Sequence, residues 1–319
     1  MKRVLITGAG GFIGSFLVEE ALKRDWKVWA GVRQTSSKEY LCDERISFID
    51  LIYSNKDKLK QQIEDHQTRY GKWDYIIHNA GVTKCLHTED FEKINYRFTR
   101  NLVEALKETG NVPDKFVLMS SLSAESPIDT LYGKSKRKAE EFLKAQTDFP
   151  YVILRPTGVY GPREKDYFLV LKSIKNGLEF TAGYRPQILT FIYVKDLAKA
   201  TFLALESNFT RKIYAVSDGN TYSGETYTRI AKEALGKKRV FKLRIPLILL
   251  KTVSVLAEMF SKISKKPSTL NRDKYKIMKR RDWTCDISPI TKDLRFQAEY
   301  DLERGVRECV TWYTNRGWL

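Results

Sequence analysis

The chain has 319 residues, of which 42% are apolar, and carries a formal net charge of +17. A chain of this length and apolar content can bury a large core. Its four cysteines and three histidines are too few and too scattered for an obvious metal site. The N-terminus enters a predicted strand at once, which leaves no room for a signal peptide. We therefore expect a cytoplasmic protein with reduced thiols and no metal.

The first predicted elements are a strand, a glycine turn and a helix. Residues 3–6 form an apolar run, Gly8, Gly11 and Gly14 follow, and residues 15–22 have helical periodicity. Such glycines let the main chain approach a pyrophosphate, and the helix N-terminus directs N–H groups at it. The spacing is G-x-x-G-x-x-G rather than G-x-G-x-x-G. A glycine-rich turn without a ligand is the alternative interpretation.

Two residues near the middle of the chain have the spacing of an acid and its activator. Tyr132 and Lys136 are four residues apart, which places both on one face of a helix. A lysine ammonium beside a phenol lowers the phenol pKa from its usual value of about 10. The alternative is a pair of solvated helix residues.

The glycine turn and the Tyr132–Lys136 pair together resemble the extended short-chain dehydrogenase/reductase family, also called the NAD-dependent epimerase/dehydratase family. Further segments resemble family motifs in the same order along the chain. These are residues 48–51, 78–81, 94–95 with 101–105, 116–121, 154–162 and 191–198.

The resemblance implies a catalytic set on one face of the cofactor. Tyr132 would exchange a proton with the substrate oxygen, and Lys136 would lower the tyrosine pKa and hold the nicotinamide ribose. Ser121 would hydrogen-bond the same substrate oxygen, with Ser120 as the rival for this role. Asn95 would anchor a water molecule near the lysine.

The resemblance also implies the cofactor-binding residues. Val32 stands where NAD-using members carry a ribose-binding aspartate, and Arg33 follows it with Ser36 close behind. A guanidinium with nearby hydroxyls suits a 2′-phosphate, so NADP(H) is favoured and NAD(H) is the alternative. Against this, Arg33 is one of 56 basic residues. The implied cofactor-binding set is Gly8, Gly11, Phe12, Ile13, Gly14, Arg33, Asp50, Leu51, Asn79, Ala80, Gly81, Tyr132, Lys136, Pro156 and Val159.

Alternating strands and helices up to about residue 160 predict an α/β fold, a doubly wound parallel sheet of the Rossmann type with a smaller, mostly C-terminal lobe. The expected dinucleotide-binding domain comprises residues 1–165 and about 190–217. The expected substrate lobe comprises about 166–189 and 218–319. Substrate is expected above the carboxyl ends of the strands, between the two.

The substrate class remains open at this stage. Leu189 stands where nucleotide-sugar epimerases often carry a phosphate-binding arginine, although Arg163 or Arg185 could replace it. The residues after Ser121 lack the acidic pair of the dehydratases. We favour an NADP(H)-dependent reductase or dehydrogenase of a carbonyl or secondary alcohol. The alternatives are a nucleoside-diphosphate-sugar epimerase with retained cofactor and a non-catalytic dinucleotide sensor.

Residues 246–281 join an apolar helix to a basic segment. The helix predicted over 246–260 has Lys251, Ser254 and Glu258 on its narrow polar side and is too short to span a bilayer. Residues 261–281 hold nine Lys or Arg against a single acid, Asp273, and so contribute +8 to the net charge.

This region has three interpretations. It can be a solvated face beside a helix that packs on the core or on another subunit, a weak contact with an anionic membrane surface, or a nucleic-acid site. The last is disfavoured because the basic residues are not interleaved with aromatic ones. The resemblance also implies a possible homodimer.

Overall fold

The computed structural model describes residues 1–264, 268 and 270–319. Part of the basic segment, including Lys265 and Lys266, lies outside the described residues. The chain forms two compact units. The first consists of residues 1–126, 131–155 and 198–214, and the second of residues 127–130, 156–197 and 215–319.

Strands and helices alternate through most of the first 160 residues, as predicted, but no helix separates Lys27–Gly31 from Ile46–Ile49 or Tyr151–Pro156 from Gly158–Tyr160. The strands are β1 Arg3–Thr7, β2 Lys27–Gly31, β3 Ile46–Ile49, β4 Tyr75–His78, β5 Lys115–Met119, β6 Tyr151–Pro156, β7 Gly158–Tyr160, β8 Leu178–Ala182, β9 Ile188–Leu189, β10 Phe191–Tyr193, β11 Lys212–Val216, β12 Tyr222–Ser223 and β13 Phe241–Ile245. The α-helices are α1 Phe12–Lys23, α2 Lys56–Tyr70, α3 Glu89–Glu92, α4 Phe98–Glu108, α5 Leu131–Lys144, α6 Asp166–Lys175, α7 Val194–Glu206, α8 Gly224–Ala234, α9 Leu247–Ser264, α10 Arg272–Lys279, α11 Ser288–Leu294 and α12 Leu302–Asn315.

The main sheet has seven strands in the order β11-β6-β5-β4-β1-β2-β3. The pairings from β3 to β6 are all parallel. Chain order reverses at β1, because β2 lies on one side of it and β4 on the other. The carboxyl ends of β1, β2 and β4 meet in register, with Thr7 opposite both Gly31 and His78. This arrangement confirms the predicted doubly wound sheet, and ligands of such sheets bind at this reversal point.

The central strands are buried along their whole length, which explains their continuous apolar sequences. All residues of β4 and β5 are buried, as expected for parallel strands covered on both faces. Lys115 is the charged exception, and its Nζ donates hydrogen bonds to the main-chain oxygens of Ser207 and Phe209. Buried residues of α2, α4 and α5 pack with the strands in one apolar cluster.

The second unit is built from short strand pairs and helices. β7 pairs with β10 and β8 with β13 in parallel, whereas β9 and β12 are antiparallel. Its core is rich in aromatic side chains. They include Tyr160, Phe191, Tyr193, Tyr227 and Tyr313.

The helix predicted over 246–260 is α9, and it turns part of its polar side toward the protein. Ser254 is fully buried, and Glu258 accepts a hydrogen bond from the main-chain N–H of Arg272. Large apolar side chains elsewhere on the helix, including Met259 and Phe260, are exposed. A lobe helix packed on a core would bury its apolar side, whereas α9 buries Leu250 together with Ser254 and exposes most of its other large apolar side chains.

Within the described residues, no helix combines the length and the apolar character needed to cross a membrane.

Candidate active site

The glycine turn after β1 is too tightly packed to hold side chains. Gly8 has φ +66°, and a Cβ placed on it would lie 2.9 Å from the main chain of Ala80. A Cβ on Gly14 would lie 2.1 Å from the Gly8 carbonyl oxygen. Helix α1 begins directly after Gly11, which has no side chain to cap the helix. The N–H groups of Ala9 and Gly11 donate to the carbonyl oxygens of Gly31 and Gly8. The first turn of α1 therefore supplies the main-chain N–H groups that a phosphate site requires.

Gly10 is a further necessary glycine that the sequence analysis missed. A Cβ on Gly10 would lie 2.7 Å from the Ser37 carbonyl oxygen and 3.8 Å from the Ser36 Cβ. The segment after β2 therefore lies directly beside the glycine turn. The spacing of the glycines gives no signal for this contact, because Ser36 and Ser37 are distant from the turn along the chain.

The turn that carries Arg33 is held by Asp50. The Asp50 Oδ2 accepts a hydrogen bond of 2.9 Å from the main-chain N–H of Gln34, and the Ser36 N–H donates to the Arg33 carbonyl oxygen. Arg33 itself is exposed. Asp50 therefore fixes the main chain beside Arg33. The next residue after Asp50, Leu51, is buried.

A buried histidine links the ends of β1 and β4. The Thr7 Oγ1 lies 3.0 Å from Nδ1 of His78 and accepts a hydrogen bond from the Ala80 N–H. Nε2 of His78 lies 3.1 Å from Oγ1 of Thr99, which donates to the Asn95 carbonyl oxygen. Burial lowers the pKa of His78 to about 3. The neutral ring therefore orders the segment that begins at Asn79, whose side-chain amide donates to the Gly8 carbonyl oxygen.

Asn95 lies in a π-helical turn, Lys93–Arg97. Its Oδ1 accepts from the Val82 N–H, and its Nδ2 donates to the Val82 carbonyl oxygen and to Ser135 Oγ. Ser135 Oγ donates in turn to the main-chain oxygen of Tyr132. Asn95 therefore ties the segment after β4 to the first turn of α5.

The two candidate serines after β5 have different partners. The Ser120 hydroxyl is buried and donates to Glu140 over 2.5 Å. The Ser121 hydroxyl accepts from the Ser123 N–H and is hydrogen-bonded with the Tyr132 side chain. The structure thus brings Ser121, rather than Ser120, to the tyrosine.

The pKa of Tyr132 is shifted upward, although its spacing from Lys136 predicted a lowered pKa. Burial raises the pKa of Tyr132 above its ordinary value, and the hydrogen bond with Ser121 only partly opposes this effect. The Lys136 side chain is itself buried, and its Nζ donates to the Met119 carbonyl oxygen over 2.8 Å. Burial lowers the pKa of Lys136 to about 8, although the Glu140 carboxylate raises it. The phenol is therefore a protonated acid at neutral pH rather than a ready phenolate.

A largely buried ion-pair network lies beside the lysine. Arg155 Nη2 lies 2.6 Å from Glu140 Oε2, and Arg155 Nη1 lies 2.7 Å from Glu125 Oε2. Burial of a carboxylate is costly unless it is paired and hydrogen-bonded. Glu140 meets this requirement through Arg155 and Ser120. The same carboxylate acts on the charge of Lys136.

Gly81 brings these groups together. A Cβ placed on Gly81 would lie 2.9 Å from Asn95 Oδ1 and 3.1 Å from Lys136 Nζ. The first unit therefore assembles Gly81, Asn95, Ser121, Tyr132 and Lys136 at the carboxyl ends of β4 and β5. This arrangement can transfer a proton to or from an oxygen bound between the serine and the tyrosine.

The remaining predicted residues lie in segments of the second unit. Pro156 is the last residue of β6, and Val159 lies in β7. Leu189 pairs with Tyr222 between β9 and β12. Arg163 is half-buried, and Arg185 is exposed.

Within the described residues the four cysteines form no disulfide bond, and Cys309 is buried. Within the part of the chain that the structure describes, no three His, Cys, Asp or Glu side chains are grouped so that they could hold a metal ion.

Comparison with known proteins identifies the family. The sequence profile described as "NAD dependent epimerase/dehydratase family" matches residues 4–217. The chain belongs to this family. The matched region contains every candidate catalytic and cofactor-binding residue named above, and the family assignment confirms the resemblance stated from the sequence.

The relatives of this epimerase/dehydratase-family chain are named for several different activities. A ceramide reductase of Caulobacter vibrioides is 26% identical over 320 residues, which cover 99% of this chain and 96% of that protein. A decarboxylating sterol-4-alpha-carboxylate 3-dehydrogenase of Candida albicans is 24% identical, with 98% and 97% covered. The structure of a UDP-glucose 4-epimerase of Thermus thermophilus in complex with NAD has a TM-score of 0.75 at 20% identity, with 99% and 100% covered. The last similarity shows the fold. The chain is an enzyme of the class that these relatives represent.

Proposed function

We propose that this enzyme is an NADP(H)-dependent reductase or dehydrogenase of a carbonyl or secondary alcohol carried on an apolar body. The observation that carries the proposal is the hydrogen bond between Ser121 and Tyr132, one helical turn from a buried Lys136. A non-catalytic dinucleotide sensor does not need a proton-transfer pair of this kind.

The chain's own residues supply the acid and the oxygen-binding group, and the bound cofactor would supply or accept the hydride. The Tyr132 phenol, with its raised pKa, holds its proton at neutral pH and gives it to the substrate oxygen during reduction. Ser121 binds the same oxygen and stabilises its developing negative charge. Lys136 places a positive charge near the pair when it is protonated, which favours loss of the phenolic proton.

The residues of the first unit fit a dinucleotide. The glycine turn would hold the pyrophosphate through Gly8, Gly11 and the main chain of Phe12, Ile13 and Gly14, because α1 begins directly after the tightly packed turn without a side-chain cap. Lys136 would hold the nicotinamide ribose, and Asp50 with Leu51 would border the adenine. The segment Asn79, Ala80 and Gly81 would pass beneath the cofactor. Pro156 and Val159 remain proposed nicotinamide contacts.

NADP(H) is preferred to NAD(H) in this proposal because of the segment after β2. Val32 is apolar and buried, so it cannot accept hydrogen bonds from a ribose 2′-hydroxyl as an aspartate does. Arg33 is exposed beside it, and Ser36 lies against Gly10 in the glycine turn. A guanidinium and a hydroxyl at this edge suit a 2′-phosphate.

Two further arguments support an apolar substrate. Leu189 offers no charge to a diphosphate, and a buried phosphate needs paired donors. The names of the two relatives that match nearly the whole chain refer to lipids, a ceramide and a sterol carboxylate.

The second candidate is a nucleoside-diphosphate-sugar epimerase with retained cofactor, since the Thermus protein of the same fold is named as a UDP-glucose 4-epimerase. Arg163 and Arg185 would then bind the diphosphate. Calorimetric titration with UDP and dTDP sugars distinguishes the two proposals. We expect binding no tighter than the high micromolar range. Low micromolar binding that is lost in Arg163→Ala or Arg185→Ala would favour the epimerase. A homodimer and a cytoplasmic location stay predictions.

A further inference from the structure

Helix α9 exposes a row of large apolar side chains. Ile248 is 78% exposed and Phe260 is 67% exposed. Most of the exposed apolar positions recur at intervals of three or four residues, and they therefore lie on one broad side of the helix. They include Ile248, Val253, Leu256, Met259, Phe260 and Ile263.

The side of α9 that faces the protein carries small polar residues together with Leu250. Ser254 and Ser261 are buried, and each hydroxyl donates to a main-chain oxygen of the helix itself, at Leu250 and Glu258 respectively. These hydroxyls are satisfied without water, so this side can pack inward. Glu258 accepts from the main-chain N–H of Arg272 at the start of α10. These contacts fix which side of α9 is exposed.

The strand pair before α9 exposes apolar side chains too. Phe241 in β13 is 67% exposed and lies in register with Leu178, and Leu243 lies in register with Phe180, which is also exposed. Because side chains alternate along a strand, these residues share one face of the pair. On the other face, Glu179 accepts from Thr228 of α8. Only Pro246 separates β13 from α9.

This part of the sequence also carries most of the net charge. Residues 237–281 contain fifteen Lys or Arg against two acids, Glu258 and Asp273, which gives +13 of the chain's +17. Lys237, Lys238 and Arg239 are exposed immediately before β13. An exposed apolar helix within a strongly basic segment is complementary to a surface that is both apolar and anionic.

We propose that the exposed side of α9, together with the basic residues of 237–251 and 272–281, docks this enzyme on an anionic lipid bilayer surface. The apolar side chains of α9 enter the boundary between headgroups and acyl chains, and the lysines and arginines bind the lipid phosphates. A second copy of this chain would cover the apolar side chains but would bring the same excess of positive charge to the contact. The proposal does not depend on the substrate or on the cofactor preference.

The test is sedimentation of the full chain with phosphatidylcholine vesicles prepared with and without phosphatidylglycerol. We expect binding to the anionic vesicles that is weakened by salt. Leu256→Asp combined with Phe260→Asp should reduce the vesicle partition coefficient about tenfold or more, as should Lys238→Glu combined with Arg239→Glu. The matched control is Leu169→Asp combined with Val170→Asp, which adds the same two charges at residues of α6 that are 50% and 43% exposed, and it should bind like the unmodified protein. Circular dichroism checks that each variant is folded.

Three results would overturn the proposal. They are the absence of binding to anionic vesicles, full binding by the folded Leu256→Asp, Phe260→Asp variant, and binding to a DNA duplex in place of vesicles. A dimer that forms without vesicle binding, and that the same variant dissociates, would show instead that a second copy covers α9.

Discussion

The Nζ of Lys136 lies 2.8 Å from the main-chain oxygen of Met119 and donates a hydrogen bond to it. Met119 ends β5, and Ser121 follows two residues later, while Lys136 lies one turn after Tyr132 in α5. A single lysine thus joins the strand that leads to the serine to the helix that carries the tyrosine. The position of the Ser121–Tyr132 pair and the charge beside it therefore depend on the same side chain.

The Glu140 carboxylate should set the pH range of activity through Lys136. The pKa of Lys136 is about 8, with Glu140 raising it, so removal of that negative charge lowers the lysine pKa further. If the reaction requires charged Lys136, activity falls as pH rises through about 8. In Glu140→Gln this fall should begin at lower pH. The measurement is kcat/KM for reduction as a function of pH.

The control for this experiment is Glu141→Gln, at an exposed position on the same helix, which should leave the pH profile unchanged. Glu140→Gln also breaks the pair with Arg155, so we expect a loss of about 3–5 kcal/mol in the free energy of unfolding. An unaltered alkaline limb in folded Glu140→Gln would show that Glu140 does not act on Lys136.

Tyr132→Phe should remove the general acid but keep the fold. We expect turnover to fall by about 10² to 10⁴ while NADPH affinity stays nearly constant, because the phenol is needed only for proton transfer. Tyr70→Phe, at an exposed position, serves as the control. Near-normal turnover by Tyr132→Phe would mean that another group supplies the proton.

Arg33→Ala should weaken NADPH binding by about 1.5–3 kcal/mol, the value of a charge-assisted hydrogen bond, and should leave NADH binding almost unchanged. Fluorescence titration with both cofactors measures this. As a control, Arg229→Ala removes an exposed arginine from α8 and should change the binding of neither NADPH nor NADH. Tighter binding of NADH than NADPH by the unmodified protein would refute the proposed preference.

His78 should make the protein less stable in acid. Its pKa is about 3 in the folded chain against an ordinary value of 6.5. Between these values the unfolded chain binds the extra proton, so stability is lost as pH falls below about 6.5. His78→Gln should show a smaller loss between about pH 7 and pH 4 in urea unfolding. Part of the loss of stability in acid should remain in His78→Gln, because the pKa of His66 is also lowered, to about 4. An equal pH dependence in both proteins would exclude His78 as a source.

The sequence was sufficient where the structure depends on local spacing. The Gly8–Gly14 turn, the Tyr132–Lys136 pair and the doubly wound sheet follow from short-range patterns and from the family motifs. The sequence alone did not reveal the contact of Gly10 with Ser37 or the hydrogen bond from Gln34 to Asp50. These pairs are distant along the chain, and only the packed ends of the strands bring them together.

The sequence also did not predict which side of α9 faces the protein. Periodicity identifies an apolar side, but it does not determine whether that side faces inward. Ser254 can be buried because its hydroxyl donates to the Leu250 carbonyl oxygen within the same helix. The predicted lowering of the Tyr132 pKa was wrong for a related reason. The spacing from Lys136 identifies a charged neighbour of the phenol, but it does not show that the phenol is buried, and burial raises its pKa.

The most direct test of the proposed activity is hydride transfer from deuterium-labelled NADPH to uncharged ketones with apolar bodies. We predict an alcohol product that carries deuterium on the former carbonyl carbon, with one NADPH consumed for each alcohol formed. Tyr132→Phe should form the same product about 10² to 10⁴ times more slowly. Interconversion of a UDP or dTDP sugar by tightly retained cofactor, with no net consumption of NADPH and no ketone reduced, would contradict the proposal.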